Sequence, residues 1–458
     1  MSTTATSRDR AQPDHLQGSI LGAILKMGVP SMIGFSTGTL YDLADAYWLS
    51  KLGPSAVAAV TILMPFLWVV SSANMIVGAG SVAIISRRYG EGDRRETELA
   101  IRETLLLKWA AAILFGAAGF LLLPQIVRLL GAEGETLGQS VVYGRIFLAG
   151  LGFHFAIYSV FTALRGIANP RMAMVLMLAF TTLNIVLDPL LIFGWWIFPA
   201  LGVAGAAWAT VIAYALGFVA GIVLLASGAA NVKLRLRSRE PIQWGVMRRI
   251  IKIGVPSAVG QISFSSSRLV IMPMIALFGM EVVAAYGITT RVTSFGIMLL
   301  IGIGLGLSAL VGNTLGAGQR ARAQQIATQA IRLAVAAMTV LGALAIVAAR
   351  PIMGLFFDDP ALVDHGVTVL RIFGVAFPFL GLFMTIENIF GGVGENRPAM
   401  CFNIFHAWLL EVPIVYLLTQ RFGGGPEAVW WTLTVSMALT ASLFYLYYRR
   451  GRWLAVEV

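Results

Sequence analysis

Residues 24–31 read ILKMGVPS, and residues 250–257 read IIKIGVPS. With that offset of 226 residues held fixed and no gap allowed, the two halves of the chain go on matching. Gly53 falls on Gly279, Val57-Ala58-Ala59 on Val283-Ala284-Ala285, and Gly78 and Gly80 on Gly304 and Gly306. Gly90-x-Gly92 falls on Gly316-x-Gly318, and Arg165-Gly166-Ile167 on Gly391-Gly392-Val393. Late in each half, AAWAT ending at Thr210 resembles AVWWT ending at Thr432. Chance likeness between glycine- and alanine-rich segments does not hold one register from position 24 to position 92 through a lysine and a proline. The chain is read as a duplicated unit.

Composition says what kind of unit. The 458 residues are 58% hydrophobic and only 12% charged, with mean hydropathy +0.82. Soluble domains carry about a quarter charged residues, and a surface this poor in charge cannot face water. Apolar runs of roughly 20 residues recur, each long enough to cross a hydrocarbon layer about 30 Å thick. The expected spans are 24–49, 56–85, 99–123, 137–165, 172–194 and 203–226, then 250–277, 282–312, 325–349, 363–391, 399–420 and 427–448. The fold class is therefore an all-α polytopic membrane protein with twelve transmembrane helices in two homologous six-helix bundles. An even number of spans per half makes the repeats parallel, related by a pseudo-two-fold axis along the membrane normal.

The expected domains are a polar tail 1–17, a first lobe 18–226, a basic linker 227–249, a second lobe 250–448 and a tail 449–458. Net charge is +11, and its placement shows what it is for. Arg8, Arg10, Lys26, Arg87, Arg88, Arg94, Arg95, Arg171, Lys233, Arg235, Arg237, Arg239, Arg248, Arg249, Lys252, Arg397, Arg449 and Arg450 are among those on one set of span ends. The other set carries Lys51, Arg128, Arg145, Arg350, Arg371 and Arg421. This asymmetry puts both termini in the cytoplasm of an inner-membrane protein; the basic charge sets topology and does not imply a nucleic-acid partner. The first seventeen residues lack the apolar core of a signal peptide. One cysteine, Cys401, excludes an internal disulfide, and the four histidines show no metal-ligand spacing. No phosphate-binding GxxxxGK[ST] loop is present, which points to an ion gradient as the energy source. No cofactor is expected.

Ionisable residues inside apolar spans cost about 2.5–3.5 kcal/mol each on insertion scales, so they face a cavity or a partner. In the first half these are Asp42 and Asp45 on the first span and Asp188 on the fifth. Asp45 lies three residues after Asp42 and four after Tyr41, which predicts one shared helix face. Asn184 and Asp188, at i and i+4, share another, and Thr210 on the sixth span adds a hydroxyl. Carboxylates, an amide and hydroxyls are hard oxygen ligands that suit a small cation, and a desolvated carboxylate could carry a proton. The expected cation or proton site is Asp45, Asn184, Asp188, Thr210 and Tyr41, with Asp42 as an accessory. The bland alternative is that Asn184 and Asp188 bridge helices while Asp42 and Asp45 lie near an interface. Pro30, which removes a backbone hydrogen bond and bends its helix, reads either as a hinge or as a static kink.

The second half does not repeat this set: Asp45 falls opposite Ile271. It offers Arg268, Arg291, Glu387, His406 and Glu411 instead. Arg291 and Glu387 could pair or line the cleft together with Arg268. His406 reads as a hydrogen-bonded interior histidine.

These residues resemble the multidrug and toxic compound extrusion (MATE) family. The resemblance lies in TLYDLADAYWLSKLGPSAVAAV (39–60), LNIVLDPLLIFG (183–194), GVAGAAWAT (202–210), RGIANPR (165–171) and GGVGENRP (391–398), and it covers nearly the whole chain in order. Among its branches the chain looks closest to the prokaryotic one named for DNA-damage induction. The resemblance implies a V-shaped pair of bundles exporting organic cations in exchange for Na⁺ or H⁺. It maps the family's motif residues onto Tyr41, Asp45, Asn184, Asp188 and Thr210, with Pro30 as the bending point. Asp42 stands where the family commonly has asparagine. The expected partners are small organic cations and the lipid bilayer, with the protein working as a single chain. Two other readings compete with this one. A lipid-linked precursor flippase of a related two-lobed architecture would want a cationic cleft, and an integral-membrane enzyme would need clustered nucleophile or metal-ligand motifs.

Overall fold

The structure, a computed structural model, describes residues 14–196, 198–235 and 240–456. Arg8, Arg10, Arg237 and Arg239, on which part of the charge asymmetry rests, lie outside the described residues. The chain is helical throughout. The first half comprises α1 (Ile20–Ser50), α2 (Pro54–Gly90), α3 (Arg94–Leu129), a bent α4 (Gly134–Ala149 and Leu151–Gly166), α5 (Pro170–Phe193) and α6 (Val203–Ser227). The second half comprises α7 (Trp244–Ala276), α8 (Met280–Gly316), α9 (Arg320–Val347), α10 (Pro360–Val393), α11 (Arg397–Arg421) and α12 (Pro426–Arg449).

Among the described residues ten helices are long and apolar enough to cross a membrane, and the bent pair makes eleven. Helix α7 has the length, 33 residues, but Gln261, Ser263, Ser265, Ser266, Ser267 and Arg268 dilute its apolar character. As the repeat mate of α1 it completes the set.

Local chemistry fixes the ends. The Ser19 hydroxyl accepts from the Gly22 N–H at 3.1 Å to start α1. Asp93 accepts from the Glu96 N–H at 2.9 Å to start α3, satisfying a donor that the helix leaves open. Asn169 caps α5 ahead of Pro170, and Asp359 caps α10 ahead of Pro360. The repeat is also visible in the backbone. Gly53 and Gly279 both hold positive φ (116° and 102°) before α2 and α8. Ala168 takes φ 56° where its repeat mate Gly394 has 86°. An alanine held in the left-handed region against its preference shows that the corner is imposed by the duplicated fold.

Four expectations need correction. The helices outrun the apolar windows that predicted them, because polar caps and amphipathic ends prolong them beyond the hydrocarbon. The basic linker is shorter than expected, since α7 begins at Trp244 instead of 250. The span expected as continuous over 137–165 is broken at Gly150 and bent by 51°. There a Cβ would stand 2.4 Å from the Val211 side chain on α6, so close packing of α6 occupies the space a straight helix would need. The span over 399–420 is not regular α-helix: it opens into π-helical turns at Phe405–Glu411 and Leu417–Arg421.

Two helical bundles meet at a seam near the ends that carry both termini. Without a hydrophobic force between helices in lipid, close van der Waals approach through small residues holds such seams. Cβ atoms on Gly80 and Gly254 would stand 2.0 and 1.7 Å from the carbonyl oxygens of Ile250 and Ile76. One on Gly306 would stand 2.3 Å from the Met27 oxygen. A Cβ on Gly312 would meet the Ser86 hydroxyl at 1.9 Å. Ser86 and Gly312 are repeat mates, so the pseudo-two-fold axis passes between them. The cores interlock in the same way. Ile250 and Ile253 of α7 pack in the first half's core, while Ile24 and Met27 of α1 pack in the second's. Each half thus lends the start of its first helix to the other.

Candidate functional site

Helices α1, α5 and α6 bring one polar cluster into the interior of the first bundle. Tyr41 and Asp45 are one turn apart on α1. The Tyr41 hydroxyl lies 2.9 Å from the Thr210 hydroxyl on α6, and Asp45 is 4% exposed. From α5, Asn184 and Asp188 are both fully buried, and the Asn184 amide donates to Asp188 Oδ1 at 3.4 Å. Van der Waals approach of α5 to α1 is helped by Gly34, where a Cβ would stand 3.1 Å from Met177 Sδ.

The oxygen inventory is the telling feature. Asp45 Oδ1, Asn184 Oδ1 and Asp188 Oδ2 are buried without a hydrogen-bond partner. Leaving such acceptors dry and unpaired costs about 1–3 kcal/mol each, more for charged groups. They belong to the donor class that a hard cation takes.

Sequence reasoning missed parts of this cluster. Thr181, buried with its hydroxyl unpartnered, stands three residues before Asn184 and seven before Asp188. That spacing puts all three on one face of α5 and was readable. Tyr143 of α4 and Tyr214 of α6 are buried within electrostatic reach of Asp45. The rings continue inward: Tyr41 stacks on Phe180, Phe180 on Tyr214 (5.0 Å between centroids) and Tyr214 on His154 (4.7 Å). Lys108, with 1% exposure, was also passed over. Lys108 was readable as an ionisable residue inside the apolar span 99–123; Tyr143, Tyr214 and His154 carry no local signal, since each comes from a different turn of a helix whose inward face only packing decides.

Asp42 does not join the buried set. It is exposed, while remaining within electrostatic reach of Asp45, Tyr143, Tyr158 and Tyr214. Pro30 is buried within an α1 that runs unbroken through it, and the Ser31 hydroxyl donates to the Met27 carbonyl at 2.8 Å.

In the second bundle the anticipated pairing of Arg291 with Glu387 does not form. Arg291 is exposed, and Glu387 accepts from the Asn403 amide at 2.9 Å. Arg268 is the cation that finds an acid: its guanidinium donates to Glu411 Oε1 at 3.2 Å and lies over the Phe264 ring. His406 Nε2 approaches the same oxygen at 3.1 Å, and its Nδ1 meets the Thr440 hydroxyl at 3.3 Å. His406 is thus the interior, hydrogen-bonded histidine that was expected. Both His406 and Glu411 lie on the first π-helical turn of α11. Such turns recur at functional positions.

Comparison with known proteins agrees with the duplication. The family model described as MatE matches twice, over residues 30–190 and 256–417. The probable multidrug resistance protein NorM of Thermotoga maritima is 25% identical over 431 residues, covering 94% of this chain and 92% of that protein. The FAD transporter of Shewanella oneidensis is 26% identical over 407 residues, covering 88% and 89%. A crystal structure of MATE in the bent conformation superposes with a TM-score of 0.88 at 26% identity, covering 96% of this chain and 98% of that one.

Proposed function

The chain belongs to the MatE family, and on that premise we propose that it is a secondary active multidrug exporter, driven by inward flow of H⁺ or Na⁺ through the first lobe. It is a transporter and not an enzyme. The observation that carries the proposal is the set of unpartnered buried oxygens on Asp45, Asn184 and Asp188. Thr210 and Tyr41 complete it, and Thr181 adds a further hydroxyl.

The cycle follows from differential affinity. Ion loading at Asp45 and Asp188 from outside favours one arrangement of α1, with Pro30 as its bending point. Substrate arriving from the cytoplasm favours the other, and the two loads exclude each other. An electrical term of about 2.3 kcal/mol per charge at 100 mV is enough for more than tenfold accumulation per net charge moved. The glycine seam supports an outward-open state here: it closes the end bearing the termini, which the charge asymmetry assigns to the cytoplasm. The bundles α1–α6 and α7–α12 act as the two rocking lobes, and the branch we assign is the DNA-damage-inducible type.

The substrates we assign are organic cations. A relative described as an FAD transporter shows that family membership alone leaves substrate charge open. The buried carboxylates of Asp45 and Asp188 favour cations here, and they disfavour the lipid-linked precursor flippase reading.

Export of a fluorescent organic cation is the test, measured in proteoliposomes under an imposed Na⁺ or H⁺ gradient. Gradient-driven transport that Asp45→Asn abolishes supports coupling, and the effective gradient names the ion. A folded protein that moves no dye under either gradient would overturn the proposal.

A further inference from the structure

We propose that the cavity at the start of α7 is a binding site for a phosphate anion, held by Arg249, Lys252 and Arg397. The cavity measures about 420 Å³, and Pro256, Glu395 and Asn396 also line it. That volume lies in the range of small-ligand sites, about 300–1,000 Å³. It opens at the end of the molecule that carries both termini, where basic pockets between transmembrane helices take phosphate headgroups.

Some other cations at the same end have acids, Arg88 with Glu91, Arg95 with Glu240 and Arg102 with Glu103; what distinguishes Arg249, Lys252 and Arg397 is that all three line one cavity. Among the described residues Arg249, Lys252 and Arg397 make no ion pair or side-chain hydrogen bond. Glu395, the one acid among the described wall residues, is not within pairing distance of them. Among the described residues three cations and one carboxylate thus face the cavity, and arginine and lysine are the common donors to phosphate oxygens.

The walls are fixed. Asn396 is buried, and its amide donates to the Ile253 carbonyl at 2.9 Å, tying the α10–α11 corner to α7. The duplication supplies an internal control. The repeat mates of Arg249, Lys252 and Arg397 are Ala23, Lys26 and Arg171, so the first half keeps two of the cations and lacks the third. Two residues beyond Lys252, Gly254 rests on the Ile76 carbonyl in the seam. An anion bridging α7 to α11 holds that end of α7 in place and favours the closed seam.

The experiment uses the full chain in detergent, with binding read by native mass spectrometry and by the shift in thermal unfolding. The probes are phosphatidylglycerol, phosphatidylcholine and inorganic phosphate. Phosphatidylglycerol is expected to bind and stabilise the wild type more than phosphatidylcholine does. Arg249→Gln with Arg397→Gln is expected to weaken its binding at least tenfold. Lys26→Gln with Arg171→Gln, which removes the same charge at the repeat-related place, is expected to leave it unchanged. Displacement of the lipid by millimolar phosphate would assign the site to a soluble phosphate, and resistance would assign it to a lipid headgroup. Equal losses in both double variants, or no loss in either, would overturn the site. Lys252→Gln alone gives the same reading should the pocket double variant unfold. No ion gradient enters the measurement, so its outcome is independent of the transport proposal.

Discussion

Gly90 of α2 lies against the backbone of Asn313 on α8 at a separation that only glycine permits: a Cβ on Gly90 would stand 2.0 Å from the Asn313 carbonyl oxygen. The relationship occurs twice. A Cβ on Gly316 would stand 2.1 Å from the carbonyl of Arg87, and 313 and 316 are the repeat mates of 87 and 90. Four of the glycines that revealed the duplication, Gly80, Gly90, Gly306 and Gly316, are thus residues through which its two copies touch.

Gly90→Val is expected to push the seam apart, because two backbones would have to separate to admit the side chain. Overpacking of this kind costs about 1–3 kcal/mol, enough to move a balanced two-state equilibrium about 5- to 150-fold. Distances between spin labels placed at Glu91 and Ala317 should lengthen, while substitution at Gly38, which has open space around its Cβ position, should leave them unchanged. An unaltered distance distribution in Gly90→Val would show that the seam is not a gate.

Asp45→Asn and Asp188→Asn should each reduce gradient-driven dye transport at least tenfold while dye binding in detergent persists. If the two carboxylates form one ion site, the double variant should be no worse than the poorer single one, because residues acting as a unit are not additive. Multiplicative losses would mean two separate sites.

Tyr41→Phe removes the hydrogen bond to Thr210, and Thr210→Val removes it from the other side. Each should cost about 0.5–1.5 kcal/mol. A double-mutant cycle read by thermal unfolding in detergent should return a coupling of about 1 kcal/mol. Zero coupling would mean that the 2.9 Å contact contributes nothing to holding α1 against α6.

Arg268→Gln leaves the Glu411 carboxylate buried with only His406 and Ser267 beside it. Breaking a fully buried pair destabilises by about 3–5 kcal/mol; with Arg268 32% exposed the loss should fall below that range, still visible as a fall in thermal midpoint. Replacing both, Arg268→Leu with Glu411→Leu, should recover most of the loss, since no charge is then stranded. Failure to recover would show that Glu411 needs its charge for a reason other than pairing.

Much of the fold was legible in one dimension, because hydrocarbon imposes a strict rule. A segment in lipid must satisfy its own backbone, so apolar runs between charged ends can be read directly as helices. The single offset from ILKMGVPS to IIKIGVPS then predicted two copies. Of the polar cluster, Tyr41 with Asp45 and Asn184 with Asp188 were readable because each pair lies one turn apart on one helix. Thr181 was equally readable by its spacing.

Other features depended on neighbours that no local pattern names. Gly150 breaks α4 because Val211 on α6 occupies the adjoining space. Glu387 takes Asn403, and Arg268 takes Glu411, because α10 and α7 each face α11; in sequence Arg291 looked as good a partner. Asp42 and Asp45 are chemically alike and three residues apart, yet one is exposed and the other buried, a distinction set by how α1 leans on α5 and α6. The sequence by itself determined the helices, their number and their duplication, since those follow from transfer free energy and repetition along the chain. Only the tertiary structure decided which charges meet, which oxygens go without partners and where the halves touch, because those depend on distances between residues far apart in the chain.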